Sequence, residues 1–192
     1  MKKWKKLVAL ALSAILAMSL LTACGGGGGS QSFETQVENA VFSAYSQNVG
    51  NRPNLKTNDP SLRKLANNAL SCITNGRYYE TDANISKSTE FEVKDGKVKI
   101  AFAMPIPDES AACGNNWYTV LAITPEMLND LKKGAAIGDS EIDKELAKME
   151  AQGATLTGIG VAAKTIDGKT YVAVGMRVEG NASDIDTSNF DY

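Results

Sequence analysis

Apolar residues recur at the period of an α-helix in four stretches of the chain. The first stripe predicts a helix over Phe33–Gln47. A second helix begins at Asp59-Pro60, because an Asp side chain can cap the first backbone N–H groups and Pro has no N–H to satisfy. A third helix follows Thr124-Pro125, and a fourth covers Ser140–Gln152.

Strict alternation of apolar and polar residues predicts strands elsewhere. A hairpin forms around Asp95-Gly96, and a longer one, from Leu156 to Glu179, turns at Asp167-Gly168. Trp117–Ile123 is a further strand. Helices that flank antiparallel strands predict an α+β fold, a single layered α/β/α sandwich over residues 33–180.

The chain begins with an export signal. Four lysines precede Leu7–Leu21, an apolar run of 15 residues that is shorter than the roughly 20 needed to span a bilayer. The run closes with Leu21-Thr22-Ala23-Cys24, which resembles the lipobox of bacterial lipoproteins. The resemblance implies a signal peptide over residues 1–23 and a diacylglyceryl group on the thiol of Cys24, with acyl chains such as palmitate as the anchor. A plain secretory signal is the alternative.

The segments that flank the domain are predicted to be flexible. Residues 24–32 contain five consecutive glycines and form a tether, and residues 181–192 form a polar, acidic tail. Removal of residues 1–23 takes four lysines away, so the formal net charge falls from −2 to −6. This charge disfavours nucleic acid as a partner and leaves the lipid as the membrane contact. We expect the protein on the outer face of a bacterial cell membrane, or on the outer membrane of a Gram-negative host.

Export permits disulfides, and Cys72 and Cys113 are an even pair once Cys24 is lipidated. A bridge between them would close a loop of about 40 residues and stabilise the fold by about 3–4 kcal/mol. Two buried free thiols are the alternative, because spacing along the chain does not specify geometry.

Two separated stretches are similar to the CAP superfamily, the group of cysteine-rich secretory, antigen 5 and pathogenesis-related-1 proteins. The first runs from Val37-Glu38-Asn39-Ala40 to a helix start at Asp59-Pro60-Ser61-Leu62. The second is Leu156–Ala162, with its Gly-Ile-Gly-Val run, followed by Asp167–Val172. The resemblance implies two helices, a polar loop and a closing hairpin in the CAP order.

This chain departs from that family in its chemistry. The family's cleft usually carries two His with two acidic residues, whereas this chain has no His. That metal site is therefore not carried over, and no cofactor is expected. Catalytic systems that need an imidazole are excluded in the same way.

Three other patterns bear on catalysis. Ser61-Leu62-Arg63-Lys64 has the S-x-x-K spacing of penicillin-recognising enzymes, although a helix cap and a solvated Lys explain the same residues. Asp184-Ile185-Asp186 begins like a calcium loop, but the chain ends too soon to complete it. Paired carboxylates could serve an envelope glycosidase or peptidase; the candidates are Glu90, Glu92, Asp108, Glu109 and Glu126.

Aromatic and polar residues form two clusters that are typical of a recognition surface. These candidate binding residues are Arg77, Tyr78, Tyr79, Trp117 and Tyr118; ordinary strand and core positions are the alternative. We therefore predict a non-catalytic binding module that contacts an envelope protein, glycan or lipid. The alternative is an envelope enzyme that uses carboxylates, and a structural subunit is a third class.

Overall fold

The computed structural model describes residues 31–48, 55–108, 110–133, 150–151 and 153–181. The helices are α1 (Phe33–Asn48), α2 (Pro60–Leu70), α3 (Asp82–Lys87) and α4 (Pro125–Lys133). The strands are β1 (Arg77–Tyr79), β2 (Thr89–Lys94), β3 (Lys97–Pro105), β4 (Trp117–Thr119), β5 (Ala122–Ile123), β6 (Ala154–Ile166) and β7 (Lys169–Asn181).

The main sheet is antiparallel and is built around β7. One side of β7 pairs with β6 along its whole length, and the other side pairs first with β5 and then with β3. Strand β2 pairs with β3 and forms the far edge. The tight turns of both hairpins use Asp-Gly pairs with positive φ: 52° and 74° at Asp95-Gly96, 50° and 74° at Asp167-Gly168.

The first face of the sheet carries large apolar side chains. Val172, Val174, Met176 and Val178 of β7 all lie on it and pack with the buried side of α1 and with Leu128 of α4. A β-bulge at Thr157 keeps Leu156 on this face together with Ile159, because one extra residue restores the alternation.

The second face carries small residues and packs against α2. Ala101, Ala103, Ala162 and Ala173 lie beneath the helix, whose own Leu62, Leu65 and Leu70 are buried. A Cβ on Gly160 would overlap the backbone of Arg63 and lie 2.5 Å from Leu62 Cβ, and one on Gly175 would lie 2.6 Å from the Leu62 carbonyl oxygen. The helix therefore rests almost directly on the sheet backbone.

The α+β fold predicted from the sequence is confirmed: helices pack on antiparallel strands, with α2 on one face of the main sheet and α1 and α4 on the other. Three predicted helices and both hairpins lie at the expected positions. Residues 150 and 151 are helical, but the rest of Ser140–Gln152, the signal, the tether and the tail lie outside the described residues.

One strand prediction is wrong. Trp117–Ile123 is not continuous: Trp117–Thr119 pairs with β1 in a separate two-stranded sheet, and Ala122–Ile123 pairs with β7. Val120 lies between these segments and donates its N–H to the Gly76 carbonyl. The chain changes partner at this point, which an alternating pattern does not reveal.

Candidate binding surface

Strands β1 and β4 form a two-stranded sheet, here called the ribbon. Its register places Tyr78 opposite Tyr118, Tyr79 opposite Trp117 and Arg77 opposite Thr119. The two sequence clusters that were candidate binding residues are therefore adjacent in space. Because side chains alternate along a strand, the ribbon divides these residues between an inner and an outer face.

The inner face of the ribbon belongs to the core. Tyr78 is 1% exposed, and its ring centroid lies 5.5 Å from that of Tyr118. The Tyr118 hydroxyl donates to the Pro105 carbonyl at 2.9 Å, and burial raises the pKa of this hydroxyl well above its usual value, with smaller effects from Tyr78 and Glu80. Tyr78 and Tyr118 are therefore structural, and Tyr78 does not contribute to an exposed surface.

The outer face of the ribbon carries a cation on an aromatic ring. The guanidinium carbon of Arg77 lies 4.4 Å from the centroid of the Trp117 ring, a contact that contributes about 0.5–1 kcal/mol at an exposed site. Tyr79 is half-buried beside them. Gly114 supports the indole, since a Cβ there would lie 2.7 Å from Trp117 Cδ1. Backbone contact thus holds Trp117 in place.

Both backbone edges of the ribbon are used by the chain itself. Along β1, the N–H and carbonyl of Arg77 both bond to Thr74, and the Tyr79 carbonyl accepts from Thr81 N and from Asn84 Nδ2. Along β4, the Trp117 and Thr119 carbonyls accept from the N–H groups of residues 114 and 108. A strand added at either edge would have to displace these bonds, so we expect a ligand of the ribbon to contact its side chains.

A second polar cluster lies at the beginning of α2. Asp59 caps the helix by accepting from the N–H groups of Ser61 and Leu62, and its other oxygen pairs with Arg177 of β7. Ser61 Oγ donates to Asp59 at 2.6 Å and accepts from Arg177 at 3.0 Å. Burial acts to raise the pKa of Asp59, but the hydrogen bonds from Ser61, Arg177 and the helix N–H groups outweigh it and lower that pKa to about 2.

A neighbouring ion pair continues this cluster onto α1. Arg63 Nε and Nη2 contact the two oxygens of Glu38 at 2.6 and 3.0 Å. Asn58 joins Glu38 to the edge of β6: its amide donates to Glu38 and exchanges two hydrogen bonds with the backbone of Val161. The cluster ties α1, α2, β6 and β7 together through hydrogen bonds and ion pairs made within the fold.

These contacts explain the S-x-x-K match as a helix cap. Ser61 bonds to the capping carboxylate and to Arg177, and Lys64 is exposed on the helix. The candidate carboxylates lie on separate elements: Glu90 and Glu92 on β2, Glu126 in the first turn of α4, and Asp108 in a turn with Ser110. Glu109 is outside the described residues. In the described part of the chain, no three acidic or thiol side chains are grouped to hold a metal ion.

The structure has Cys72 and Cys113 as free thiols, so the bridge considered from the sequence is not formed in it. Cys72 lies just after α2, and its Sγ donates to the Asn68 carbonyl. Cys113 is exposed, and its backbone pairs with that of Tyr118 as an isolated β-bridge. Cys24, the predicted lipidation site, lies outside the described residues.

Sequence reasoning missed Arg177 and Asn58. Arg177 interrupts the alternation of Tyr171, Ala173 and Gly175 with a charge on the face that α2 covers, and this was the available signal. Asn58 gave none, since its partners are backbone atoms of a strand about 100 residues away.

No helix in the part of the chain that the structure describes combines the length and the apolar character of a membrane span. Comparison with protein-family models, with curated proteins and with solved structures gave no match for this chain.

Proposed function

We propose that this chain is a bacterial lipoprotein, exported and held by acyl groups on Cys24, whose domain is a non-catalytic binding module. The binding surface is the outer face of the ribbon, formed by Arg77, Tyr79 and Trp117. The signal-like residues 1–23 and the glycine-rich tether support export and anchoring.

The observation that carries the proposal is the exposed Arg77 guanidinium on Trp117. Trp, Tyr and Arg supply most of the binding energy at recognition surfaces, because each combines a large contact area with a directional polar group. Here all three residue types meet on one face, and the glycine beneath the indole orients it before any ligand arrives.

We further propose that the domain is a divergent relative of the CAP superfamily without its metal site. The two stretches that carry the resemblance touch each other: Gly160 of the Gly-Ile-Gly-Val run lies against Leu62 and Arg63, next to Asp59-Pro60. An experimental structure superposed on CAP domains tests this. A different order of elements along the chain would contradict it.

Anchoring is tested by fractionating cells that express the chain with Cys24→Ala. We expect the variant to leave the membrane fraction and to lose labelling by radioactive palmitate. The matched control, Cys113→Ala, should stay in the membrane fraction. Unchanged membrane association of Cys24→Ala would contradict the anchor.

Binding is tested by sedimenting purified residues 24–192 with Cys24→Ala, which carry neither the signal nor an acyl anchor, with isolated cell envelope. The wild-type chain should sediment with the envelope, and Arg77→Gln with Trp117→Ala should remain in solution. Circular dichroism establishes that the variant is folded. Equal sedimentation of both proteins would contradict the surface, and turnover of envelope glycan or peptide would support the carboxylate enzyme instead.

A further inference from the structure

We infer that the outer face of the ribbon binds an acidic glycan, a chain of sugars that carry carboxylate groups. The inference rests on the proposed binding function and names the chemistry of the ligand.

Arg77 gives the outer face of the ribbon a positive charge. Three arginines lie within the described residues, and two of them are neutralised inside the fold: Arg177 by Asp59 and Arg63 by Glu38. Arg77 is exposed, and among the described residues it contacts the indole of Trp117 and forms no ion pair. A guanidinium presents paired N–H groups whose spacing matches the two oxygens of a carboxylate. The face is therefore complementary to an anion.

The two aromatic rings of the outer face suit a sugar. Tyr79 and Trp117 are cross-strand partners on the same face, so their side chains are neighbours. The guanidinium on the indole, with the phenol beside them, places planar groups on one face, and the C–H face of a pyranose ring is flat and apolar. Asn115 and Asn116 are exposed in the adjoining turn and offer amide donors and acceptors to hydroxyl groups.

The backbone edges of the ribbon favour a glycan over an extended peptide. An extended peptide commonly binds a small sheet by adding a strand, which requires free N–H and carbonyl groups at an edge. On one edge of the ribbon, both backbone groups of Arg77 and the carbonyl of Tyr79 bond to neighbouring residues of this chain; on the other edge, the carbonyls of Trp117 and Thr119 do so. A sugar needs no such edge, because it is recognised by rings and side-chain polar groups.

The test uses residues 24–192 with Cys24→Ala, which lack Trp4, so that Trp117 is the sole tryptophan and its fluorescence reports on the ribbon. The probes are oligogalacturonate, oligoguluronate and hyaluronan oligomers. Methyl-esterified oligogalacturonate is the matched probe without charge. We expect saturable quenching by at least one acidic oligomer and binding at least about tenfold weaker for the ester.

Variants locate the effect. Arg77→Gln should weaken binding about tenfold or more, because a hydrogen-bonded charge is lost, and Arg77→Lys about threefold, because the charge stays but the planar fork is lost. The control Lys94→Gln removes an exposed cation from the main sheet and should leave binding unchanged.

Failure of this inference differs from failure of the proposed function. If envelope binding depends on Arg77 but no acidic oligomer quenches Trp117, or if the ester binds equally well, the acidic glycan is the wrong ligand and the surface stands. Tighter binding of a Glu-rich peptide would likewise replace the glycan with a protein partner. If neither envelope nor oligomer binds, both proposals are wrong.

Discussion

The beginning of α2 and the ribbon both present arginine, but in opposite situations. Arg177 is 18% exposed and contacts Asp59 and Ser61, while Arg77 is exposed and rests on Trp117 without an acidic partner among the described residues. The first arrangement joins a helix to a sheet. The second leaves a charge available to something outside the fold, and this contrast separates stability from recognition.

The reason for the difference lies in what surrounds each residue. At α2, small residues let the helix approach the sheet so closely that polar groups beside the contact lose water and must pair. On the ribbon, alternation buries Tyr78 and leaves Arg77 and Trp117 in contact with solvent. We therefore expect substitutions near α2 to change folding and those on the outer ribbon to change binding.

The largest expected effect comes from Gly160→Ala. The added methyl group would overlap the backbone of Arg63 and Leu62, so α2 must move away from the sheet. We expect a loss of about 3 kcal/mol in the free energy of unfolding, measured by urea denaturation.

The control is Ala163→Val, a half-buried position on the opposite face of β6, which we expect to cost less than about 1 kcal/mol. Equal losses for both variants would show that α2 does not rest closely on the sheet.

Arg177→Met comes next. It leaves the Asp59 carboxylate partly buried without its partner, and we expect a loss of about 2 kcal/mol by the same measurement. The comparison is Lys99→Met, which removes an exposed contact with Glu179 at 4.0 Å and should change stability by less than about 0.5 kcal/mol. If both substitutions change the free energy of unfolding by a similarly small amount, Arg177 is an ordinary surface charge.

A smaller effect is expected from pH. The pKa of Asp59 is lowered from 3.8 to about 2 in the folded chain. The ionised carboxylate therefore contributes fully to the free energy of unfolding above about pH 4, and this contribution is lost as the pH falls towards 2. The shift corresponds to at most about 2 kcal/mol, and partial exposure to solvent reduces the expected contribution to about 1 kcal/mol.

The variant Asp59→Asn isolates this contribution. Its free energy of unfolding should be lower than that of the wild-type chain at pH 5, and the difference should shrink as the pH is lowered to 2, as measured by urea denaturation. A deficit that stays constant over this range would contradict the role assigned to the ionised carboxylate.

The smallest effect on stability is expected for Arg77→Gln. Loss of its contact with the indole should cost about 0.5–1 kcal/mol or less, while binding to envelope material is lost. Urea denaturation and sedimentation of the same preparation measure the two quantities. If Arg77→Gln unfolds readily and still binds, Arg77 serves stability, as Arg177 does, and not binding.

Local signals predicted much of this fold. Asp59-Pro60 marked the start of α2, and the two Asp-Gly turns marked both hairpins, because capping and turn chemistry depend on a few adjacent residues. The buried face of β7 followed from alternation alone. Long-range facts did not: the change of partner at Val120 and the pairing of Asp59 with Arg177 depend on chain folding between distant segments.

The binding surface was predicted in part. The aromatic clusters were identified from composition, but the sequence could not assign Tyr78 inward and Arg77 outward without the register of β1 on β4. The support of Trp117 by Gly114 depends on the turn that carries Gly114 and folds back onto β4.

Binding at the ribbon is tested most directly by acrylamide quenching of Trp117 in residues 24–192 with Cys24→Ala, where it is the sole tryptophan, with and without isolated cell envelope. If the outer face of the ribbon binds, the envelope should lower the quenching constant of the wild-type chain and leave that of Arg77→Gln unchanged. Equal quenching of Trp117 with and without envelope would contradict binding at the outer face of the ribbon.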